Sequence, residues 1–135
     1  MKQINIDKSY LLLKKWWESI DLTNYEKCNL NNEIISLNQQ LFRLNEKQLR
    51  IGIYGKAGVG KSSILNLLLE KNVFKTGIIN GTTKNIERKE WNFKHKSLKT
   101  IELIDAPGFD FYDIKDPENI FSQINSSELI LFTIT

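Results

Sequence analysis

The length and composition of this chain predict a modest globular protein and exclude several other classes. Of its 135 residues, 41% are hydrophobic and 26% are charged, which is an ordinary balance for a protein with a buried core. A formal net charge of +3 is too small to indicate nucleic-acid binding, and a single cysteine, Cys28, excludes an internal disulfide.

The first ten residues predict a cytoplasmic protein. Their sequence, MKQINIDKSY, lacks the apolar core and the small-residue cleavage site of a secretory signal. In addition, no apolar run approaches the roughly 18 residues that a membrane-spanning helix needs. We therefore expect a soluble, cytoplasmic chain.

Residues 1–48 contain no glycine and no proline, and their apolar pattern predicts a helical hairpin. Asp7 is the predicted cap of a first helix, and residues 21–24, DLTN, predict a break followed by a new cap. The first helix places four apolar residues on one face: Tyr10, Leu13, Trp17 and Ile20. The second carries a seam of residues three and four apart: Leu30, Ile34, Leu37, Leu41 and Leu44.

Two alternatives remain open for this helical region. The seam of the second helix covers only about two and a half heptads, so we favour packing on the neighbouring domain over a dimerising coiled coil. Residues 10–17, YLLLKKWW, also resemble an interfacial membrane helix because they combine tryptophan with lysine. Since this stretch is short and weakly charged, we favour its burial against protein.

Residues 49–135 hold all seven glycines and both prolines, and they predict alternating strands and helices. Short apolar or alternating runs predict strands over residues 49–54, 86–94, 100–105 and 129–135. Helices are predicted over residues 62–70 and about 117–125. This order predicts an α/β sheet, with the strand at 86–94 on an edge.

Residues 55–62, GKAGVGKS, match the pattern G-x-x-x-x-G-K-[ST] of a phosphate-binding loop, the P-loop. The match follows an apolar strand and opens an apolar helix, which is the context that the motif requires. Its glycines let main-chain N–H groups approach phosphate oxygens closely. Lys61 would add positive charge at the β and γ phosphates, and the Ser62 hydroxyl would be a ligand for Mg²⁺.

Two later segments fit a magnesium-bound triphosphate. The stretch IELIDAPGFD carries Asp105 to the end of an apolar strand, where an aspartate can reach Mg²⁺ through water. The N–H group of Gly108 could then bond to the γ-phosphate and sense its loss. The stretch INGTTKNIE, residues 79–87, places two threonines in a loop where one can complete the magnesium shell.

These three segments resemble, in this order, the translation-factor-related GTPases, and most of all their Era-like and bacterial dynamin-like groups. The resemblance covers residues 49–135. It implies part of a Ras-like P-loop domain, a three-layer α/β fold with an N-terminal helical extension. It also implies GTP and GDP binding, Mg²⁺ and GTP hydrolysis. Two switch loops, around residues 75–86 and 106–118, would be ordered by the γ-phosphate.

The resemblance also implies a role for individual residues. Those implied to bind the nucleotide are Gly55, Lys56, Ala57, Gly58, Val59, Gly60, Lys61, Ser62, Ser63, Asp105 and Gly108. Those implied to promote hydrolysis are Lys61, Thr83 and Gly108, and those implied to hold Mg²⁺ are Ser62, Thr83 and Asp105. Thr83 is preferred to Thr82 because the metal-binding threonine of the family is usually the second of the pair.

Three departures from the family pattern qualify these expectations. Phe109 stands where Ras-like members carry a glutamine that orients the attacking water, which implies slow intrinsic hydrolysis. Gly58 stands where potassium-activated relatives carry asparagine. The guanine-reading N-K-x-D element is absent from the 135 residues. We therefore expect a piece of a longer GTPase that ends after its fourth strand and is poorly soluble alone.

Two other functions remain alternatives. Residues 56–62 approach the motif of the MinD/ParA-like ATPases, in which the first lysine acts across a dimer, although Ala57 breaks that pattern. The chain could also be a catalytically weak scaffold that binds a second copy, a partner protein or a membrane through residues 1–48. The missing water-orienting glutamine favours this last interpretation.

Overall fold

The structure is a computed structural model, and it describes residues 6–76, 85–94, 96–110 and 117–134. The chain divides into two units. One consists of residues 1–48 with 95–99, and the other of residues 49–94 with 100–135.

The described residues of the first unit form three helices where the sequence predicts two. They are α1 (Ile6–Glu18), α2 (Asn24–Asn29) and α3 (Asn31–Asn45). The short helix α2 begins at a capping box in which the Glu26 N–H donates to the Thr23 hydroxyl at 3.3 Å, and the Thr23 N–H donates to the Glu26 carboxylate at 2.9 Å. Chiefly because the Thr23 hydroxyl bonds to this carboxylate, the pKa of Glu26 is lowered.

Helices α1 and α3 pack on each other through one face of α1. The Trp17 indole N–H donates to the Asn38 side-chain oxygen at 3.1 Å. The expected burial of the YLLLKKWW stretch is wrong for four of its residues, Leu11, Leu12, Leu13 and Trp16, which are 58%, 60%, 42% and 55% exposed. Leu13 is among them although the sequence predicts it on the packed face. A helix that packs along one face leaves the side chains of its other face in water. None of the described helices is long and apolar enough to cross a membrane.

The second unit is built on a mixed sheet of four described strands in the order β2-β3-β1-β4. The strands are β1 (Gln48–Gly55), β2 (Glu87–Trp91), β3 (Thr100–Asp105) and β4 (Leu129–Thr133), and the helices are α4 (Lys61–Leu69) and α5 (Pro117–Asn125). Strands β1 and β4 are parallel, whereas β2 and β3 are antiparallel. This arrangement confirms the predicted α/β class and the predicted order of elements.

The core of this unit lies against β1 and β3. Ile53, Leu65, Leu103 and Ile104 are completely buried. Ile104 packs with Ala106 and with Ile124 of α5. Since side chains alternate along a strand, Leu103 faces the opposite side of the sheet from Ile104. Burial on both faces holds the carboxyl ends of β1 and β3 in place, and the candidate site begins at those ends.

Candidate functional site

The P-loop lies between the end of β1 and the start of α4. Gly58 and Gly60 have positive φ angles of 76° and 87°, which side chains with a Cβ atom rarely adopt. Gly60 is the N-cap of α4, and its carbonyl accepts the Ile64 N–H at 2.9 Å. This turn carries residues 55–60 around the start of a helix, where free N–H groups and the positive end of the helix dipole favour an anion.

Lys61 is the buried cation of this loop. Its side chain reaches back, and the ammonium donates to the Lys56 carbonyl at 2.6 Å. Burial lowers the pKa of Lys61, while the carboxylates of Asp105 and Asp110 act in the opposite direction. A positive charge is therefore held among main-chain groups, next to the N–H groups of the loop.

Ser62 and Asp105 are brought together as the sequence predicts. The Ser62 hydroxyl donates a hydrogen bond to the Asp105 carboxylate, which is buried at the end of β3. A hydroxyl and a carboxylate are the hard oxygen ligands that Mg²⁺ prefers. This donor set, beside an anion-binding loop, fits a magnesium ion that is shared with phosphate oxygens.

Gly108 lies directly against the P-loop. It is buried, and a Cβ atom added to it would lie 2.1 Å from the Ala57 nitrogen and 2.5 Å from the Ala57 Cα. Both neighbours are backbone atoms that cannot swing away, so only glycine fits here. The segment after β3 therefore reaches the loop by main-chain contact.

The two residues after Gly108 also bind to the loop. The Phe109 N–H donates to the Gly55 carbonyl at 3.3 Å, and its ring stacks on the Tyr54 ring with centroids 5.3 Å apart. The Ala57 N–H donates to the Asp110 carboxylate at 2.6 Å. This hydrogen bond is the main cause of the lowered pKa of Asp110, and the charges of Lys56 and Lys61 add to it.

The sequence motifs do not predict Asp110 as an individual site residue. The signal available was an acidic residue two positions after Gly108, close to the N–H groups of the P-loop. Ser63, which was predicted, is exposed beside an open hollow of about 350 Å³ that Asn66 and Glu70 also line. Thr82 and Thr83 lie outside the described residues.

Residues 50–135 match the family model described as "50S ribosome-binding GTPase". Among curated proteins, the chain is 36% identical over 90 residues to the tRNA modification GTPase MnmE of Mesoplasma florum, which covers 64% of this chain and 19% of that protein. It is 39% identical over 64 residues to the small ribosomal subunit biogenesis GTPase RsgA of Clostridium novyi. That match covers 45% of this chain and 21% of RsgA. The chain thus spans about a fifth of the length of these relatives.

Two solved structures of Era have a similar fold. One is a variant of Aquifex aeolicus Era bound to GDP·AlF4⁻, with a TM-score of 0.52 and 29% identity over 65% of this chain and 31% of that one. The other is Era with MgGDPNP and part of 16S ribosomal RNA, with a TM-score of 0.53 and 28% identity. That match covers 65% of this chain and 30% of the Era chain. This likeness confirms the predicted P-loop fold, and the comparisons give no support to a MinD/ParA-like ATPase.

Proposed function

This chain belongs to the 50S ribosome-binding GTPase family, and from that premise we propose that it binds GTP and GDP with Mg²⁺ and hydrolyses GTP to GDP and phosphate. Residues 49–135 are proposed to be part of the GTP-binding domain, and residues 1–48 a helical region. The proposed preference for guanine rests on family membership, because the described P-loop residues would contact phosphates rather than a base. A cytoplasmic location is part of the same proposal.

The Ser62–Asp105 hydrogen bond is the observation that carries this proposal. It joins the residue after the P-loop lysine to the carboxylate at the end of β3. In this arrangement Ser62 would be a direct ligand of the metal, and Asp105 would hold a water molecule bound to it. Thr83 is proposed as a further ligand. When bound, Mg²⁺ supplies positive charge to the β and γ phosphate oxygens.

The remaining steps belong to the residues of the chain itself. The N–H groups of residues 57–62 would bind the phosphates, and Ser63 would lie beside them. Lys61 would exchange its bond to the Lys56 carbonyl for the β and γ phosphate oxygens. The Gly108 N–H would bind the γ-phosphate as negative charge builds on it. Because the N–H groups of the loop are fixed by the backbone before reaction, they would stabilise that charge with little reorganisation.

Phe109 supports slow turnover and a role as a nucleotide-dependent switch. Its ring can neither donate nor accept the hydrogen bond that orients an attacking water, and it is stacked on Tyr54. A second copy or a partner protein is therefore proposed to complete the site, as in a switch or assembly module. The exposed side chains of Leu11, Leu12 and Trp16 support binding of such a partner to the helical region.

A displacement assay tests the function directly. Fluorescent mant-GDP is bound to the purified chain in Mg²⁺ and displaced with GTP, GDP or ATP, while phosphate release is followed separately. We expect GTP and GDP to displace the probe and phosphate release to be slow.

The matched variants for this assay are Lys61→Ala, which removes the P-loop cation, and Lys27→Ala, which removes an exposed lysine of α2. Loss of binding in Lys61→Ala alone is expected. Displacement by ATP measures how much base preference the 135 residues supply, since the guanine-reading N-K-x-D element is not among them. A chain that binds no nucleotide, although it is folded by circular dichroism, would overturn the proposal.

A further inference from the structure

Residues 108–110, here called the docked segment, make three separate contacts with the P-loop. The Gly108 backbone lies against Ala57, and the Phe109 N–H donates to the Gly55 carbonyl at 3.3 Å. The Asp110 carboxylate accepts the Ala57 N–H at 2.6 Å. The segment therefore places an anion of the protein on a loop that is built to hold the anions of a ligand.

The charges around Asp110 favour this position. Lys56 and Lys61 both attract its carboxylate, and the bond from the Ala57 N–H also stabilises its ionised form. Asp105 is the other acid that interacts with Lys61. Its carboxylate accepts from the Ser62 hydroxyl, whereas that of Asp110 accepts from the loop itself. Asp110 thus places a carboxylate directly on a P-loop N–H.

The position of Gly108 indicates which phosphate this carboxylate replaces. Under the proposed function, Gly108 meets the γ-phosphate, and Gly108 lies against Ala57. The Ala57 end of the loop is therefore where a third phosphate is expected. A carboxylate and a phosphate cannot share one N–H donor and the same two lysines, since their charges repel each other.

We propose that Asp110 is a specificity-determining residue, whose carboxylate occupies the place of the third phosphate on the P-loop and so lowers the affinity for a triphosphate relative to a diphosphate. This inference rests on the proposed function and deepens it. A diphosphate leaves the Asp110–Ala57 bond intact. A triphosphate must break it, which displaces the Asp110 carboxylate from the Ala57 N–H.

The test compares the affinities of the purified chain for mant-GDP and for the non-hydrolysable analogue mant-GDPNP in Mg²⁺. Removing the carboxylate with Asp110→Ala should tighten GDPNP binding by about five- to tenfold and leave GDP binding within about twofold. Asp110→Asn keeps an acceptor without the charge, so its affinity ratio should lie between those of the wild type and Asp110→Ala. Asp21→Ala, at an exposed aspartate before α2, is the matched control and should leave the ratio unchanged.

The possible outcomes separate this inference from the proposed function. If the wild type and the variants show the same ratio of GDPNP affinity to GDP affinity, the role of Asp110 is overturned while the function stands. If neither the wild type nor any variant binds either nucleotide, the function fails and the inference fails with it.

A second measurement does not depend on the variants being folded. In the wild type, the chemical shifts of the Ala57 amide (¹⁵N–¹H) and of the Asp110 carboxyl (¹³C) should change when GDPNP binds. They should not change when GDP binds. If both resonances remain unchanged in the GDPNP complex, the proposal is overturned.

Discussion

The hydroxyl of Ser62 and the carboxylate of Asp105 are hydrogen-bonded although 43 positions separate them in the chain. Ser62 lies in the first turn of α4, and Asp105 is the last residue of β3. A helix start and a strand end meet here because the cores on the two sides of the sheet hold both elements. Two oxygen ligands for a hard cation are thus in place before any ligand arrives.

We expect the variant Ser62→Ala to lose most of the magnesium dependence of nucleotide binding. The remaining carboxylate would lack its neighbouring oxygen ligand, so the affinity gained when EDTA is replaced by Mg²⁺ should fall at least tenfold. Binding of mant-GDPNP with and without Mg²⁺ measures this difference. Ser122→Ala, an exposed serine on α5, is the control, and an unchanged magnesium effect in Ser62→Ala would contradict the assignment.

Lys61 is expected to reduce the stability of the unliganded protein. Burial lowers its pKa, so the folded state holds this proton less tightly than the unfolded state does. Between the lowered pKa and the ordinary value near 10.5, stability should therefore rise with pH, and below the lowered pKa the full cost of burying the charge is present. The neutral variant Lys61→Met should melt a few degrees higher than wild type at pH 7 while losing nucleotide binding.

Thermal melts of both proteins from pH 7 to 10.5 check this expectation. The difference in melting temperature between Lys61→Met and wild type should shrink as the pH rises, because the Lys61 ammonium of the wild type loses its proton. A variant that melts well below wild type at pH 7 would show that the bond to the Lys56 carbonyl outweighs the cost of burial.

The variant Gly108→Ala should push the docked segment off the P-loop. Its new methyl group would meet the Ala57 backbone at 2.1 Å, and neither partner can relax by rotating a side chain. We expect the protection factor of the Phe109 amide against hydrogen exchange to fall at least tenfold. Its bond to the Gly55 carbonyl depends on the same close contact between the docked segment and the P-loop. Ala106→Gly is the comparison, because it changes a neighbouring backbone position without adding an atom. Undiminished protection in Gly108→Ala would contradict this packing.

The local parts of this fold could be predicted from the sequence. Strand β3 has the predicted bounds, and α5 spans the predicted residues, because apolar runs between turn residues determine such elements locally. The strand expected over residues 86–94 is shorter, and β2 ends at Trp91. There the Phe93 N–H bonds to the Trp91 carbonyl and turns the chain.

Two features could not be predicted, for different physical reasons. Helix α2 has six residues, NYEKCN, and no apolar face, so no periodic pattern marks it, and only its capping residues indicate a helix start. The Asp110–Ala57 bond joins residues 53 positions apart. Its formation depends on how the segment after β3 packs on the loop, which a motif does not encode.

The stability of helix α2 should depend on the Thr23 cap and should fall at low pH. Replacing the cap with Thr23→Ala should cost about 1 kcal/mol of local helix stability, because the Glu26 N–H loses its acceptor. The pKa of Glu26 is lowered, so its contribution is present above its ordinary value of 4.5 and disappears as the pH falls through the lowered pKa. Carbon-13 NMR of the Glu26 carboxyl should show the low pKa in wild type and an ordinary one in Thr23→Ala. An equally low pKa in the variant would contradict the capping box.

Asn66 is expected to be the most sensitive polar residue of the second unit to substitution. It is buried, and its side-chain oxygen accepts the N–H groups of Val73 and Phe74 at 3.0 and 2.8 Å. Its amide donates to the Phe74 carbonyl at 2.9 Å.

The variant Asn66→Leu fills the space but leaves these main-chain groups without their partner, so we expect a loss of about 2–4 kcal/mol in the free energy of unfolding. Asn66→Asp keeps the acceptor and should lose less at neutral pH, and Asn29→Ala, exposed at the end of α2, should lose under about 0.5 kcal/mol. Urea denaturation measures all three. If Asn66→Leu and Asn29→Ala were equally stable, the turn at residues 71–74 would be held by its apolar contacts rather than by this amide.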